Sequence, residues 1–167
     1  MTDLISATSN DRPMLARLVQ LYAYDFSEIL GLDVGDDGLF HTGDLLAGCW
    51  SDPRRHAYVL RTHGCVAGFA IVDERSRLTG DFDVVDVAEF FVMRKHRRKG
   101  VGAACAATLF DLFPRRWEVR QKSANVAGTA FWRRVIERRT GGRFEEAVFD
   151  DERWRGPVQS FDVRIRA

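Results

Sequence analysis

Several features that would place a protein in a specialised class are missing from this sequence. Among 167 residues there are only three cysteines, an odd and widely spaced set (Cys49, Cys65 and Cys105) that suggests neither a disulfide framework nor a CxxC metal site. The four histidines show no spacing typical of metal ligands. No apolar run approaches the length of a membrane span, and the N-terminus lacks a signal-peptide pattern. We therefore expect a cytoplasmic protein with no metal ion and no membrane partner.

The composition is that of an ordinary globular protein, with 46% hydrophobic and 29% charged residues. The length predicts a single domain over residues 1–167, large enough to bury a substantial core. The net charge of +1 conceals an asymmetry: residues 1–93 carry −8, residues 94–139 carry +10 and residues 140–167 carry −1. Two surfaces of opposite charge are expected, although most of these charges individually need only solvate an exposed face.

The hydrophobic pattern predicts an α+β or mixed α/β fold in which antiparallel strands come first. The predicted elements of the first half are a short strand at 4–5, one helix or two bent helices from 12 to 29, an irregular loop over 31–44, a weak helical turn over 44–50 and strands over 57–62, 65–73 and 84–93. Those of the second half are helices over 101–113 and 126–139 and strands over 117–121, 144–149 and 160–165.

The most informative stretch lies between the third of the longer strands and the helix that follows it. Five of the six residues 94–99 are lysine or arginine, and Gly100 and Gly102 come directly after them. Glycines let backbone N–H groups approach a ligand closely, and the first turn of a helix adds unpaired N–H groups and a positive dipole end. This combination indicates a site for a phosphate or pyrophosphate.

Several interpretations compete for this glycine turn. A Walker loop needs a lysine after its last glycine, but Ala103 follows Gly102, so that interpretation fails. A dinucleotide-binding turn is a near match, with Glu118 at about the distance of a ribose-binding acid, but here the turn follows an antiparallel meander in mid-chain. A simple helix-start turn and a nucleic-acid-binding face remain as alternatives, although no aromatic residues interleave the basic run.

The sequence from Arg97 to Gly102 resembles the [Q/R]-x-x-G-x-[G/A] signature of the GNAT superfamily of acyl-CoA N-acyltransferases. The preceding residues, from Glu89 on, resemble that family's fourth strand, and the segment Asn125 to Trp132 resembles its N-x-x-A-x-x-F-[YW] motif. The resemblance implies a GNAT-type single domain: a central, mostly antiparallel, twisted sheet of six to seven strands, flanked by about four helices and splayed at the fourth and fifth strands.

Acetyl-CoA, or another acyl-CoA, is the cosubstrate that the resemblance implies. The backbone of the fourth strand would hydrogen-bond the pantetheine, and the glycine loop would hold the pyrophosphate. The residues implied in cofactor binding are Phe91, Val92, Met93, Arg97, Arg98, Lys99, Gly100, Val101, Gly102, Ala103 and Asn125. For Asn125, a helix N-cap is an equally good interpretation.

Glu89 matches a position where many relatives carry a glutamate that acts as a base, directly or through water. A base is needed because most amines are protonated at pH 7. Strand alternation places Glu89 and Phe91 on one face, although Glu89 is equally consistent with an ordinary surface carboxylate. One departure from the family is Trp132, which stands where many relatives carry a proton-donating tyrosine.

In this family the acceptor site lies between the first helices, with the loop after them, and the late strands. Tyr24, Asp25 and Glu28 are therefore candidate substrate residues, and the acidity of this region favours a cationic amine. We expect an N-acetyltransferase that acts on a primary amine of a small molecule or peptide by direct attack in a ternary complex. It would be a monomer or homodimer with no nucleic-acid partner. The alternative is a non-catalytic acyl-CoA-binding module of the same fold.

Overall fold

The computed structural model describes residues 1–164, which form a seven-stranded sheet with helices. The elements are β1 (Thr2–Ser6), α1 (Arg12–Leu30), β2 (Arg55–Thr62), β3 (Cys65–Asp73), β4 (Val84–Val92), α2 (Val101–Leu112), β5 (Arg116–Arg120), α3 (Val126–Thr140), β6 (Phe144–Asp150) and β7 (Arg155–Asp162), with 3-10 turns at Ser9–Asp11 and Arg94–His96. The strand order is β1-β2-β3-β4-β5-β7-β6. The predicted mixed α/β class is confirmed.

Strand β5 pairs in parallel with β4, whereas it pairs antiparallel with β7, and the pairs β1–β2 and β6–β7 are also antiparallel. The register of β4 with β5 runs from Val84 opposite Arg116 to Val87 opposite Val119. The chain then continues in β4 to Val92. The register with β5 therefore ends at Val87, five residues before the end of β4.

Helix α1 is one continuous helix, so the alternative of two bent helices is wrong. Pro13 lies in its first turn, where a missing N–H costs no hydrogen bond, and Gly31 ends it in the left-handed conformation at φ 63°. Among the described residues there are three α-helices and not about four, because the segment after residue 44 forms turns without a helix.

Strand β7 begins and ends earlier than the sequence predicts. The alternation of Phe161, Val163 and Ile165 indicates a strand over 160–165, but β7 spans Arg155–Asp162, Val163 lies in a turn and Ile165 is outside the described residues. The cause is tertiary: Arg155 pairs with Asp150 of β6, and this ladder draws Gly156 and its neighbours into the strand against their local preference.

The described residues group into two compact units. Unit 1 contains residues 1–71 and 89–101, and unit 2 contains residues 72–88 and the chain from Gly102 onward. In unit 1 the β2–β3 hairpin turns at His63 and Gly64, both with the positive φ that a two-residue hairpin turn of type I′ requires. In unit 2 Phe110 lies edge-on to Trp117 and Phe161, at 5.0 and 5.2 Å between ring centroids, and helps to fill the core.

Candidate active site

The second half of β4, in unit 1, is held against β3 by an unusually close backbone approach. A Cβ atom added to Gly68 would lie 1.9 Å from the carbonyl oxygen of Phe91, so only glycine fits there. One residue earlier in β3, the carbonyl of Ala67 accepts a hydrogen bond of 2.8 Å from the N–H of Met93. The backbone N–H of Met93 is therefore engaged within the protein, and a contact of Met93 with a cofactor stays a prediction.

Glu89 accepts a hydrogen bond from a phenol of helix α1. The distance from Tyr22 Oη to Glu89 Oε2 is 2.6 Å, and both side chains are partly buried. The Tyr22 ring packs against Phe69 and Phe91, with centroids 5.7 and 5.6 Å away. Glu89 and Phe91 therefore both meet Tyr22, as strand alternation predicts. Tyr22 and Glu89 lie 67 positions apart, so no local sequence pattern reveals this contact.

Tyr22 remains a neutral donor in this pair. Burial, the negative charge of Glu89 and the hydrogen bond to it together raise the pKa of Tyr22 far above its ordinary value. The Tyr22 hydroxyl is thus directed to Glu89 in this structure.

The basic run following β4 forms a 3-10 turn and then a loop that leads into α2. His96 is buried in the turn, whereas the cations of the loop are exposed. Arg98 and Gly100 both adopt positive φ, 57° and 80°, a conformation that non-glycine residues rarely take. Helix α2 begins at Val101, so its first-turn N–H groups follow directly. The predicted order of strand, loop and helix is confirmed, whereas its ligand remains a prediction.

Arg97 and Asp25 are engaged with each other. Arg97 donates from Nε to the carbonyl of Val92 at 2.6 Å and from Nη2 to Asp25, and its guanidinium lies 5.8 Å from the centre of the Phe91 ring. Arg94 donates from Nε to the other oxygen of Asp25 at 2.6 Å. Burial alone would raise the pKa of Asp25, but the hydrogen bonds from Arg97 and Arg94 outweigh it and lower that pKa. Asp25 is therefore paired with two arginines of the protein, and a contact of Asp25 with a substrate stays a prediction.

The other candidate acceptor residues remain accessible. Tyr24 is 64% exposed and Glu28 is also exposed on α1. The glycine-rich loop after α1 is tied to the helix by Gln20, whose amide accepts from Phe40 N–H at 2.8 Å and donates to the Phe40 carbonyl at 3.2 Å. A groove of about 490 Å³ lies between α1 and residues 40–46. The loop is irregular, as predicted, yet attached at a defined point.

Asn125, in unit 2, caps helix α3. Its Oδ1 accepts from the N–H of Gly128 at 3.0 Å, and a Cβ on Gly128 would lie 2.4 Å from Asn125 Nδ2. The glycine therefore makes room for the capping amide. Trp132 is 6% exposed and its ring centroid lies 5.1 Å from that of Phe131, so it is a packing residue of this unit. A contact of Asn125 with a cofactor remains a prediction.

Unit 2 contains two further carboxyl groups away from solvent. Asp86 is fully buried and accepts from Arg120 at 2.8 and 2.7 Å. Glu118 accepts from the buried Ser76 hydroxyl at 2.7 Å, and burial raises its pKa. Within residues 1–164 there is no group of three or more histidine, cysteine or acidic side chains that could hold a metal ion. None of the helices in that part of the chain is both long and apolar enough to cross a membrane.

Solved structures with the same fold are numerous and distant in sequence. An acetyltransferase from Thermus thermophilus is 17% identical with a TM-score of 0.67, covering 97% of both chains. The ribosomal-protein-S18-alanine N-acetyltransferase from Escherichia coli is 16% identical with a TM-score of 0.58, covering 100% of this chain and 97% of its own. The PaiA N-acetyltransferase from Thermoplasma acidophilum, in complex with coenzyme A, is 7% identical with a TM-score of 0.64, covering 97% and 99%.

These identities are low enough that the similarity establishes the fold alone. No curated protein sequence matches the chain. The model of the acetyltransferase (GNAT) family, in contrast, matches residues 17–136, from helix α1 through most of α3. That range includes the close β3–β4 approach, the Tyr22–Glu89 pair and the glycine loop. The chain belongs to the GNAT acetyltransferase family.

Proposed function

We propose that this protein is an acetyl-CoA-dependent N-acetyltransferase that acts as one GNAT-type domain on a primary amine. The observation that carries the proposal is the hydrogen bond of Tyr22 with Glu89, eight residues before the arginine that begins the glycine loop. A carboxylate held by a neutral donor near a candidate cofactor loop has the properties of a general base. Family membership supports the acetyl transfer itself.

The loop fits an acyl-CoA pyrophosphate. Positive φ at Arg98 and Gly100 turns successive peptide units, and the start of α2 adds helix N–H groups with their positive dipole end. We propose that the backbone N–H groups of residues 98–103 bind the pyrophosphate and that Lys99 supplies nearby positive charge. Met93 N–H is engaged with Ala67 and the Val92 carbonyl with Arg97, so we propose that the pantetheine uses the remaining backbone groups of Phe91, Val92 and Met93.

The chemistry then requires an amine that has lost a proton. Acetyl-CoA, when bound, would supply a thioester: the C–N bond of the product amide forms, the C–S bond breaks, and CoA leaves as its thiolate. Glu89 accepts the proton that leaves the attacking nitrogen, while the Tyr22 hydroxyl holds Glu89 Oε2 in place. Phe69 and Phe91 pack around Tyr22 and limit its freedom to move. The predicted base role of Glu89 thus gains a partner that the sequence does not reveal.

For the acceptor we propose a small-molecule or peptide amine that approaches α1 through Tyr24 and Glu28. The E. coli neighbour acts on the alanine of a ribosomal protein, which shows that this fold accommodates a peptide amine. The loop aspartates Asp33, Asp36 and Asp37 favour a cationic acceptor. Asp37 is also occupied locally, since it accepts from Leu39 N–H at 3.1 Å.

Thiol release from acetyl-CoA in the presence of a panel of amines tests the proposal. We expect release with at least one primary amine, together with a mass gain of one acetyl group on that amine. Binding of acetyl-CoA without thiol release for any peptide or small-molecule amine would instead favour the non-catalytic acyl-CoA-binding module.

A further inference from the structure

We propose that Asp25 and Arg97 are positioning residues, which fix the cofactor loop to helix α1 and do not themselves contact substrate or phosphate. The inference rests on one part of the proposed function, the binding of acyl-CoA by the loop. It changes the predicted role of both residues, since the sequence places Asp25 in the acceptor site and Arg97 on the cofactor.

The donors of Arg97 point into the protein. Nε is directed to the carbonyl at the end of β4 and Nη2 to Asp25 on α1, while the guanidinium lies over the Phe91 ring. A planar guanidinium that makes three such contacts is held in one orientation. Although 40% of the side chain is exposed, moving Arg97 onto a phosphate would break both hydrogen bonds. The arginine therefore joins the strand end and the helix.

Asp25 bridges the two ends of the 3-10 turn. Its Oδ1 accepts from Arg94, at the start of the turn, and its Oδ2 accepts from Arg97, directly after it. The Asp25 side chain is only 12% exposed, whereas Glu28, one turn later on the same helix, is exposed. Charge-assisted hydrogen bonds of this kind are about twice as strong as neutral ones. The Asp25 carboxylate thus fixes the position of the turn from which the loop begins.

Arg98 directly follows the Asp25–Arg97 anchor and adopts φ 57°. A non-glycine residue in that conformation persists when its surroundings hold it there. With Arg97 fixed on one side and α2 starting at Val101 on the other, the intervening N–H groups are organised before any ligand arrives. Such preorganisation removes an ordering cost that binding would otherwise have to meet.

Asp25→Asn distinguishes the positioning role from a purely electrostatic effect, because the two predict opposite changes in acetyl-CoA affinity. Removing a negative charge near an anion site should tighten the binding of acetyl-CoA. Loss of the anchor should weaken it, and we expect a dissociation constant about tenfold higher by calorimetry, with the melting temperature monitored in parallel. Asp25→Glu, which keeps the carboxylate, should recover part of the loss. Unchanged or tighter binding by Asp25→Asn overturns the proposal.

Glu28→Gln is the matched control. It removes a carboxylate from the same helix but leaves the hydrogen bonds of Arg94 and Arg97 to Asp25 in place. Its acetyl-CoA affinity should stay the same or improve slightly. If Asp25→Asn does not melt cooperatively, Arg97→Lys replaces it: the positive charge is kept but the two-directional fork is lost, so binding should again weaken about tenfold. Full affinity in Arg97→Lys contradicts the anchor.

Salt dependence provides a second readout. A charge close to an anion contributes to the salt dependence of binding whether or not it touches the anion, so the charge-conserving Arg97→Lys is the variant to compare. It should bind acetyl-CoA more weakly at every salt concentration with the slope of the wild type, and full affinity at every salt concentration would contradict the anchor. If the wild-type protein itself does not bind acetyl-CoA, the proposed function fails. Failure of the anchor alone looks different, because the wild type then binds acetyl-CoA and the variants bind it equally well.

Discussion

Two carboxylates that lie three positions apart on β4 have opposite surroundings. Asp86, in unit 2, is fully buried and held by both arms of Arg120, which also stacks 4.5 Å from the Trp154 ring centre. Glu89, in unit 1, is partly buried and accepts from the neutral hydroxyl of Tyr22. Arg120 engages both oxygens of Asp86 and forms a buried ion pair with it, although burial raises the pKa of that carboxyl, whereas Oε2 of Glu89 accepts from a neutral phenol. We therefore propose a structural role for Asp86 and a chemical role for Glu89.

The structural half of this comparison gives the largest expected effect. Asp86→Ala leaves the Arg120 guanidinium buried without its counter-charge, which should lower the free energy of unfolding by about 3–5 kcal/mol. Denaturant unfolding measures the loss. The double variant Asp86→Leu/Arg120→Met should be less destabilised than Asp86→Ala, because no charge remains buried. A loss below about 1 kcal/mol in the single variant would refute the structural role of the pair.

The chemical half is tested by Glu89→Gln, which keeps the shape of the side chain and removes its basicity. Turnover with an identified amine should fall by about a hundredfold or more, the usual contribution of a general base. Stability should change little, since Tyr22 can still donate to the amide oxygen. Initial rates and thermal melting, measured together, check both statements. Unchanged turnover would show that Glu89 is an ordinary partly buried carboxylate.

Tyr22→Phe sharpens the contrast by removing only the donor. Losing a hydrogen bond to an ionised carboxylate favours its protonated form, so the acidic limb of the pH–rate profile should move to higher pH. We expect turnover near neutral pH to fall by up to about tenfold, with acetyl-CoA affinity retained. A uniform decrease at all pH values, with no shift of the limb, would mean that Tyr22 serves packing alone.

Asp25 is the intermediate case: it is paired with arginines but near the surface. The hydrogen bonds from Arg97 and Arg94 lower its pKa in the folded state, so its stabilising contribution is present above the unfolded value near 3.9 and is lost as the pH falls through the folded value. The stability difference between wild type and Asp25→Asn, at most about 1 kcal/mol at pH 7, should therefore shrink below about pH 4. Denaturant midpoints across that range measure it.

Much of the framework can be predicted because its signals are local. Pro13 and Gly31 mark the ends of α1, His63 and Gly64 mark the hairpin, and the apolar run with its basic loop marks β4 and the start of α2. The boundaries of β7 cannot be predicted in this way, because cross-strand pairing overrides local preference there.

The partners at the candidate site depend on contacts between residues far apart in the sequence. Tyr22 lies 67 positions from Glu89, and Asp25 lies 72 from Arg97, so no local pattern reveals either hydrogen bond. Acidity along α1 suggests a cationic substrate, yet Asp25 faces the protein's own arginines. The sequence likewise gives no sign that position 68 requires glycine. The requirement comes from the close approach of the Phe91 carbonyl, which the structure reveals.

Calorimetric titration of acetyl-CoA into the wild-type protein and Glu89→Gln, side by side with their turnover, tests the account most directly. We predict saturable binding with closely similar dissociation constants in both proteins and acetyl transfer that is about a hundredfold or more slower in Glu89→Gln. Absence of acetyl-CoA binding by the wild type, even at high micromolar concentration, would contradict the proposed function. Equal turnover in the two proteins would contradict the division of roles between Glu89 and Asp86.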